Sequence, residues 1–183
     1  SMPDGQRILV WCGQAALVYA VDGTLLHQIG FGEWRFQNHY SPLPWTVAIH
    51  PNGQQVAVLG GGENVILKWD LTTNQLTKLA DIRSQENYGK NGLKYSPTGD
   101  QLLVMCADEN TGEIARIYDS AGQVIAETKR DWQQAAWAPD GRALATSTGL
   151  ILDSQLQTIK KLPLSDGDPY PQALRTPFWK QDA

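Results

Sequence analysis

Residues 50–70 read HPNGQQVAVLGGGENVILKWD, a segment whose pattern recurs along the chain. It opens with a Pro-Asn-Gly turn, continues as the apolar run Val56–Leu59, turns again at three glycines, and ends as the alternating run Val65–Asp70. Proline presets φ at the first central position of a tight turn, and glycine accepts the positive φ that closes it. The segment therefore predicts two short strands joined as a β-hairpin.

The same turn, x-Pro-x-Gly, occurs four times in the 183 residues. Its glycines are Gly5, Gly53, Gly99 and Gly141, which lie 48, 46 and 42 residues apart. Each turn precedes an apolar run and then an alternating run that ends in an aspartate. These aspartates are Asp22, Asp70, Asp119 and Asp153.

A further short run follows each aspartate, so that each unit contains four short strands. These last runs are Leu25–Ile29, Leu76–Leu79, Val124–Ala126 and Leu156–Ile159. Four-stranded units that recur about every 40–45 residues are typical of β-propeller blades. The sequence therefore predicts an all-β, propeller-like array of four blades, each a four-stranded antiparallel sheet.

Trp69-Asp70 is a Trp-Asp pair at the end of its alternating run, and Tyr118-Asp119 is a near variant. In these residues, and in the repeat pattern of nearly the whole chain, the sequence resembles the WD-repeat family of β-propellers, although no unit has the family's Gly-His dipeptide. The resemblance implies blades stacked around an axis. We expect a single domain over residues 1–183, with blade turns at 3–5, 51–53, 97–99 and 139–141.

The first unit begins at its turn, whereas the apolar and aromatic residues 174–183 stand where a fifth unit would begin. We therefore expect the first blade to be completed by the C-terminal strand, with Arg175–Trp179 pairing with Ile8–Cys12, or by a second chain. Such pairing removes an exposed sheet edge. Across two chains, it would make a homodimer that completes a larger ring, and a partner segment could do the same for a fragment.

The connections between blades differ in length, and binding usually resides in variable loops on a rigid scaffold. Because Trp, Tyr and Arg are over-represented in interface hot spots, we predict that these connections bind a protein or peptide. The predicted partner-binding residues are Trp34, Arg35, His39 and Tyr40 in the first connection, Tyr88 and Lys90 in the second, Arg130 and Trp132 in the third, and Tyr170 in the fourth. The alternative is that Trp34 and Phe36 fold back and cap the propeller.

Two further sets of residues are predicted to be structural. Large rings fill the space between twisted sheets, and the tryptophans at or near first strands are Trp45, Trp132, Trp137 and Trp179. The repeated aspartates are spread one per unit, and a carboxylate in such a turn accepts backbone N–H groups. We therefore expect them to hold their own turns rather than to form a carboxylate site.

No local motif for catalysis occurs in the sequence, and we predict no catalytic residues, no metal and no cofactor. Residues 108–113 place oxygen ligands at alternate positions, but the bidentate glutamate that closes a calcium loop is absent. The predicted function is a non-catalytic scaffold module. The alternatives are a small-molecule, carbohydrate or enzymatic site over the central channel, or a propeller fragment completed by a partner segment.

Charge and composition exclude further classes of partner. With 15 basic and 19 acidic residues, the net charge is −4 and no basic stripe is present, so we expect no nucleic acid. No apolar run approaches the roughly 18 residues of a membrane span, so we expect no membrane. Cys12 and Cys106 lie in apolar runs without CxxC spacing, which favours a reducing, cytoplasmic compartment.

Overall fold

The computed structural model describes residues 1–12, 15–30, 46–59, 65–82, 92–108 and 112–163. Throughout these ranges the regular elements are β-strands, without a helix, and they form four antiparallel sheets. No helix in the described part of the chain is long and apolar enough to span a membrane. The chain divides into two compact units, Ser1–Gln85 and Glu86–Ala183. The prediction of an all-β fold of antiparallel sheets is confirmed.

The first unit contains sheets 1 and 2. Their strands are β1 (Arg7–Cys12), β2 (Ala15–Ala20) and β3 (Leu25–Gly30) in sheet 1, and β4 (Thr46–Ile49), β5 (Gln55–Leu59), β6 (Val65–Asp70) and β7 (Gln75–Asp81) in sheet 2. Each sheet is a meander, because strands that are consecutive in the chain pair with each other. Sheet 1 has three strands. Residues 174–183, predicted to complete it, lie outside the described residues.

The second unit contains sheets 3 and 4, which are also meanders of four strands each. Their strands are β8 (Gly92–Tyr95), β9 (Gln101–Asp108), β10 (Gly112–Asp119) and β11 (Val124–Lys129) in sheet 3, and β12 (Ala135–Trp137), β13 (Ala143–Thr146), β14 (Leu150–Asp153) and β15 (Thr158–Lys161) in sheet 4. In this unit as in the first, the Pro-x-Gly turn joins the first strand of a four-stranded sheet to its second.

The Pro-x-Gly turn of sheet 2 also connects that sheet to sheet 1. Gly53 has a φ of +68° and donates its N–H to the carbonyl of His50 at 2.8 Å. The Arg7 Nη2 donates to the Gly53 carbonyl at 2.7 Å, and a Cβ at position 53 would lie 2.8 Å from that nitrogen. The positive φ therefore favours glycine at this turn, and a Cβ would also displace the Arg7 guanidinium from its place over the turn.

Asp22 was predicted to end the second run of its unit, as Asp70 and Asp119 do, and the register shows that it does not. Asp70 pairs with Gln55 and Asp119 pairs with Gln101, two residues after the turn glycine in each case. In sheet 1 the residue at this position is Ala20, which pairs with Arg7. Asp22 lies two residues further on, in the turn after β2, where its Oδ1 accepts the Thr24 N–H at 2.9 Å.

The last run of the fourth unit begins later than the sequence indicated. Leu156 belongs to the turn before β15, with a φ of +58°, and it donates its N–H to the Asp153 carbonyl at 3.0 Å. Its side chain is nevertheless buried in the core of the second unit. Leu156 is apolar because it packs into the core, and this apolar residue is what made the sequence pattern predict a strand that begins there.

Each unit has its own apolar core between its two sheets. In the first unit, Val56, Val58 and Trp69 of sheet 2 pack with Val18 and the half-buried Leu9 of sheet 1. In the second unit, the core lies between the facing sides of sheets 3 and 4. Its members include Leu103, Ile117, Trp132, Trp137, Leu144 and Leu152.

The packing role predicted for the tryptophans is confirmed for Trp132 and Trp137, which are 2% and 8% exposed within that core. Trp137 also donates its Nε1–H to the carbonyl of Lys94 at 3.2 Å, a hydrogen bond from sheet 4 to sheet 3. Trp45 and Trp179 lie outside the described residues.

A substitution at Trp69 tests the contribution of the first unit's core to stability. Its ring is fully buried, and its Nε1–H donates to Asn74 Oδ1 at 3.1 Å. We expect Trp69→Ala to lower the free energy of unfolding by about 3–5 kcal/mol, because it leaves a large cavity. Chemical denaturation measures the loss. Leu26→Ala, at a 44% exposed position, should change stability by no more than about 0.5 kcal/mol; equal losses would contradict this account.

Candidate functional site

The two ends of each sheet differ in their connections. Because the strands alternate in direction, the Pro-x-Gly turns and the turns before the fourth strands lie at one end, here called the turn end. The opposite end, here called the loop end, contains the second-to-third strand connections and the sheet-to-sheet connections. The sheet-to-sheet connections include residues 31–45, 83–91 and 130–134.

At the turn end, aspartate side chains accept the backbone N–H groups of their own turns. Asp119 Oδ1 accepts the N–H groups of Ala121 and Gln123 at 2.9 and 2.8 Å. Asp153 Oδ1 accepts those of Gln155 and Gln157 at 2.8 and 2.9 Å. A carboxylate in this position replaces the hydrogen bonds that a longer ladder would supply. The predicted structural role of these aspartates is confirmed.

Hydrogen bonds at the turn end lower the pKa of Asp70 and the pKa of Asp22. The Thr72 hydroxyl, which donates to Asp70 Oδ1 at 2.6 Å, is the main cause of the lowered pKa of Asp70. For Asp22 the main cause of the lowered pKa is the backbone N–H of Thr24. Hydrogen bonds to the charged form hold these groups ionised. They are therefore poor candidates for general acids or bases near neutral pH.

Two of the nine predicted partner-binding residues lie among the described residues. Trp34, Arg35, His39, Tyr40, Tyr88, Lys90 and Tyr170 lie outside the described residues. Arg130 and Trp132, in the short connection from sheet 3 to sheet 4, are described. The structure places both in the interior of the second unit rather than on an exposed surface.

Arg130 is held by several groups at once. Its Nε donates to the Ile114 carbonyl at 3.1 Å and its Nη1 donates to the Trp132 carbonyl at 2.5 Å. Nη1 also lies 3.2 Å from Glu113 Oε2, and the guanidinium carbon lies 5.9 Å from the Trp132 ring centroid. Burial lowers the Arg130 pKa, and Glu113 opposes this shift. The guanidinium thus fastens the connection to β10.

Partner binding requires exposed side chains, whereas Arg130 and Trp132 are buried. The connection spans five residues between β11 and β12, which is too short to project away from the sheets. Its cationic and aromatic side chains therefore satisfy the backbone of their own unit. The sequence showed residue types that are suited to an interface, but it did not show whether their side chains would face the solvent or the interior.

Arg130 should behave as a packing residue. We expect Arg130→Ala to lower the free energy of unfolding by about 2 kcal/mol or more, because carbonyl acceptors lose their donor and Glu113 loses its counter-charge. The matched control is Arg142→Ala, at an exposed arginine of the same unit, which should have little effect. Equal thermal denaturation curves for Arg130→Ala and the wild type would contradict the assignment.

Lys94 and Tyr95, on β8, were not singled out from the sequence. Burial lowers the pKa of Lys94, and burial raises the pKa of Tyr95 to about 12. Their position just before the Ser96-Pro97 turn, on a first strand, is the sequence signal that could have found them. Over the described residues, no group of three or more His, Cys, Asp and Glu side chains could hold a metal ion. The pKa shifts of Lys94 and Tyr95 have burial as their cause.

The raised pKa of Tyr95 predicts how the stability of the protein changes at alkaline pH. The unfolded chain ionises this tyrosine near its ordinary pKa of 10.0, whereas the folded protein keeps it neutral to about pH 12. The folded state therefore binds the extra proton, and stability should fall as the pH rises from about 10 to about 12. Denaturation at several pH values should show a shallower decline for Tyr95→Phe. Parallel declines for the two proteins would contradict the shift.

Comparison with known proteins shows the fold and no family. No family model and no curated protein matches the chain. Among solved structures, 695 chains are similar. One is a Kuenenia stuttgartiensis hydrazine synthase, with a TM-score of 0.65 and 15% identity over 87% of this chain and 46% of that chain. The chain thus spans less than half the length of that relative, and the likeness is one of fold.

Proposed function

We propose that the protein is a non-catalytic module that binds a protein or peptide at the loop end of its sheets. In this proposal the four sheets are blades of a WD-repeat-like propeller, and the connections between blades form the binding rim. The observation that carries it is the contrast between the two ends of the sheets. Short turns that satisfy their own polar groups occupy one end, and the longest connections leave from the other.

The composition of the longest connection supports binding. Residues 31–45 contain two of the seven tryptophans, Trp34 and Trp45, and one of the six tyrosines, Tyr40, together with Arg35 and His39. Aromatic and arginine side chains combine a large contact area with polar groups, which is why they dominate interface energetics. The short connection 130–134 differs from this one, because its Arg130 and Trp132 side chains are buried within their own unit.

The distribution of titratable groups supports a non-catalytic role. The carboxylates of Asp70, Asp119 and Asp153 are engaged by the backbone of their own turns. Acid–base catalysis needs groups whose pKa lies near the working pH. The lowered pKa of Asp70 and the raised pKa of Tyr95 move each away from neutrality.

The proposal is tested at Trp34 and Tyr40. Each alanine substitution should weaken partner binding by about 2 kcal/mol or more. Little change in melting temperature is expected, because the sequence pattern assigns both residues to the longest connection and not to a repeated run. Affinity capture from the source lysate identifies the partner, and titration of the purified partner measures binding. Gln37→Ala is the matched control in the same connection and should bind as the wild type does.

Two results would contradict the proposal. If Trp34→Ala melts many degrees below the wild type, its ring caps the sheets instead of binding a partner. If the wild-type protein retains a small molecule and no polypeptide, the alternative site over the central channel is favoured. Mass spectrometry of the captured material separates these cases.

A further inference from the structure

Sheet 1 presents an apolar face on the side away from the core of its unit. This face, here called the outer face of sheet 1, is formed by Ile8, Val10, Leu17, Tyr19, Val21 and Leu25. Four of its members are strongly exposed: Ile8 at 42%, Val10 at 38%, Val21 at 59% and Leu25 at 46%. The opposite side of the same strands, with Leu9 and Val18, packs against sheet 2.

The register shows what these positions do in sheet 2. The pairs Ile8–Tyr19 and Val10–Leu17 of sheet 1 correspond to the pairs Val56–Trp69 and Val58–Leu67 of sheet 2. All four of those sheet 2 residues are 0% exposed, in the core shared with sheet 1. In sheet 2, this face is therefore the one that packs against the preceding sheet.

Sheet 4 uses the same face in the same way. Leu144 and Leu152 pair at the register position of Ile8 and Tyr19. They are 0% and 2% exposed, and both belong to the core shared with sheet 3. The outer face of sheet 1 thus keeps the apolar residues of a packing surface, and within its unit no described sheet covers it.

The complementary surface is present on the chain. In sheet 3, Leu103 and Ile117 pair and pack against sheet 4. Ala145 and Ile151 pair at the same register position of sheet 4. They are half-buried and lie outside the core of the second unit. This side of sheet 4, here called the outer face of sheet 4, matches the surface that covers a following sheet.

We propose that the outer face of sheet 1 binds the outer face of sheet 4 of a second copy of this chain. The contact would repeat the sheet-on-sheet packing that each unit already contains. In the proposed dimer the two copies are related by a two-fold axis, so that each copy contributes its outer face of sheet 1 to one contact and its outer face of sheet 4 to the other. Such an assembly closes and does not extend into a filament. This inference concerns a surface separate from the loop end.

The test is the mass of the protein in solution. Sedimentation from about 1 to about 100 µM should show a dimer of about 40 kDa, twice the 20.2 kDa chain. Val21→Lys should raise the dimer dissociation constant by about a hundredfold or more, because it would bury an uncompensated charge in both contacts. Val10→Lys, on β1, should have the same effect.

Val124→Lys is the matched control, because Val124 is 50% exposed and lies on sheet 3, outside the proposed contact. It should leave the dimer intact, and circular dichroism should show the same β-sheet spectrum for all variants. A wild-type protein that is monomeric across the range would overturn the proposal. A dimer that survives both Val21→Lys and Val10→Lys, or an assembly that grows beyond two chains, would also overturn it.

Discussion

The sheets of this protein are apolar on both faces, and this constraint governs the rest of the structure. In β5, Val56 and Val58 face one side while Ala57 and Leu59 face the other, and all four are fully buried. Side chains alternate along a strand, so one neighbouring sheet can cover only half of such a strand. A sheet of this kind needs apolar cover on both faces, which a chain that repeats one unit can supply and a fold around a single core cannot.

The turns fix the register, and the register decides which face each side chain joins. A one-residue slip would exchange the two faces of a strand, whereas a two-residue displacement preserves them. Sheet 1 keeps the register of sheet 2, because Arg7 pairs with Ala20 as Gln55 pairs with Asp70. Its aspartate, Asp22, stands two residues further on, outside the strand. Val18 still enters the core and Tyr19 still faces outward. The repeat can therefore lose its aspartate at one position without losing its packing.

The alternating runs were enough to predict the all-β class and most of the strands. Val65–Asp70 was predicted to the residue, because alternation and a turn residue mark both ends. The failures have physical causes that a single sequence does not contain. Leu156 was misplaced because an apolar residue packs equally well from a turn. Arg130 and Trp132 were misjudged because the same residue types serve a binding surface and a buried connection, and the length of the connection decides between them.

The edges of the sheets give a last indication about β1. The last strands of the four sheets, β3, β7, β11 and β15, each pair through a register shift, and such bulges discourage pairing with another chain. The first strands β4, β8 and β12 have only four, four and three residues, and short edges are also protected. β1 has six residues and an unbroken register, yet its second edge has no neighbour in the described sheet. It has the length and regularity of an inner strand, and pairing of this edge, by residues 175–179 or by another chain, is the arrangement that the sequence predicts.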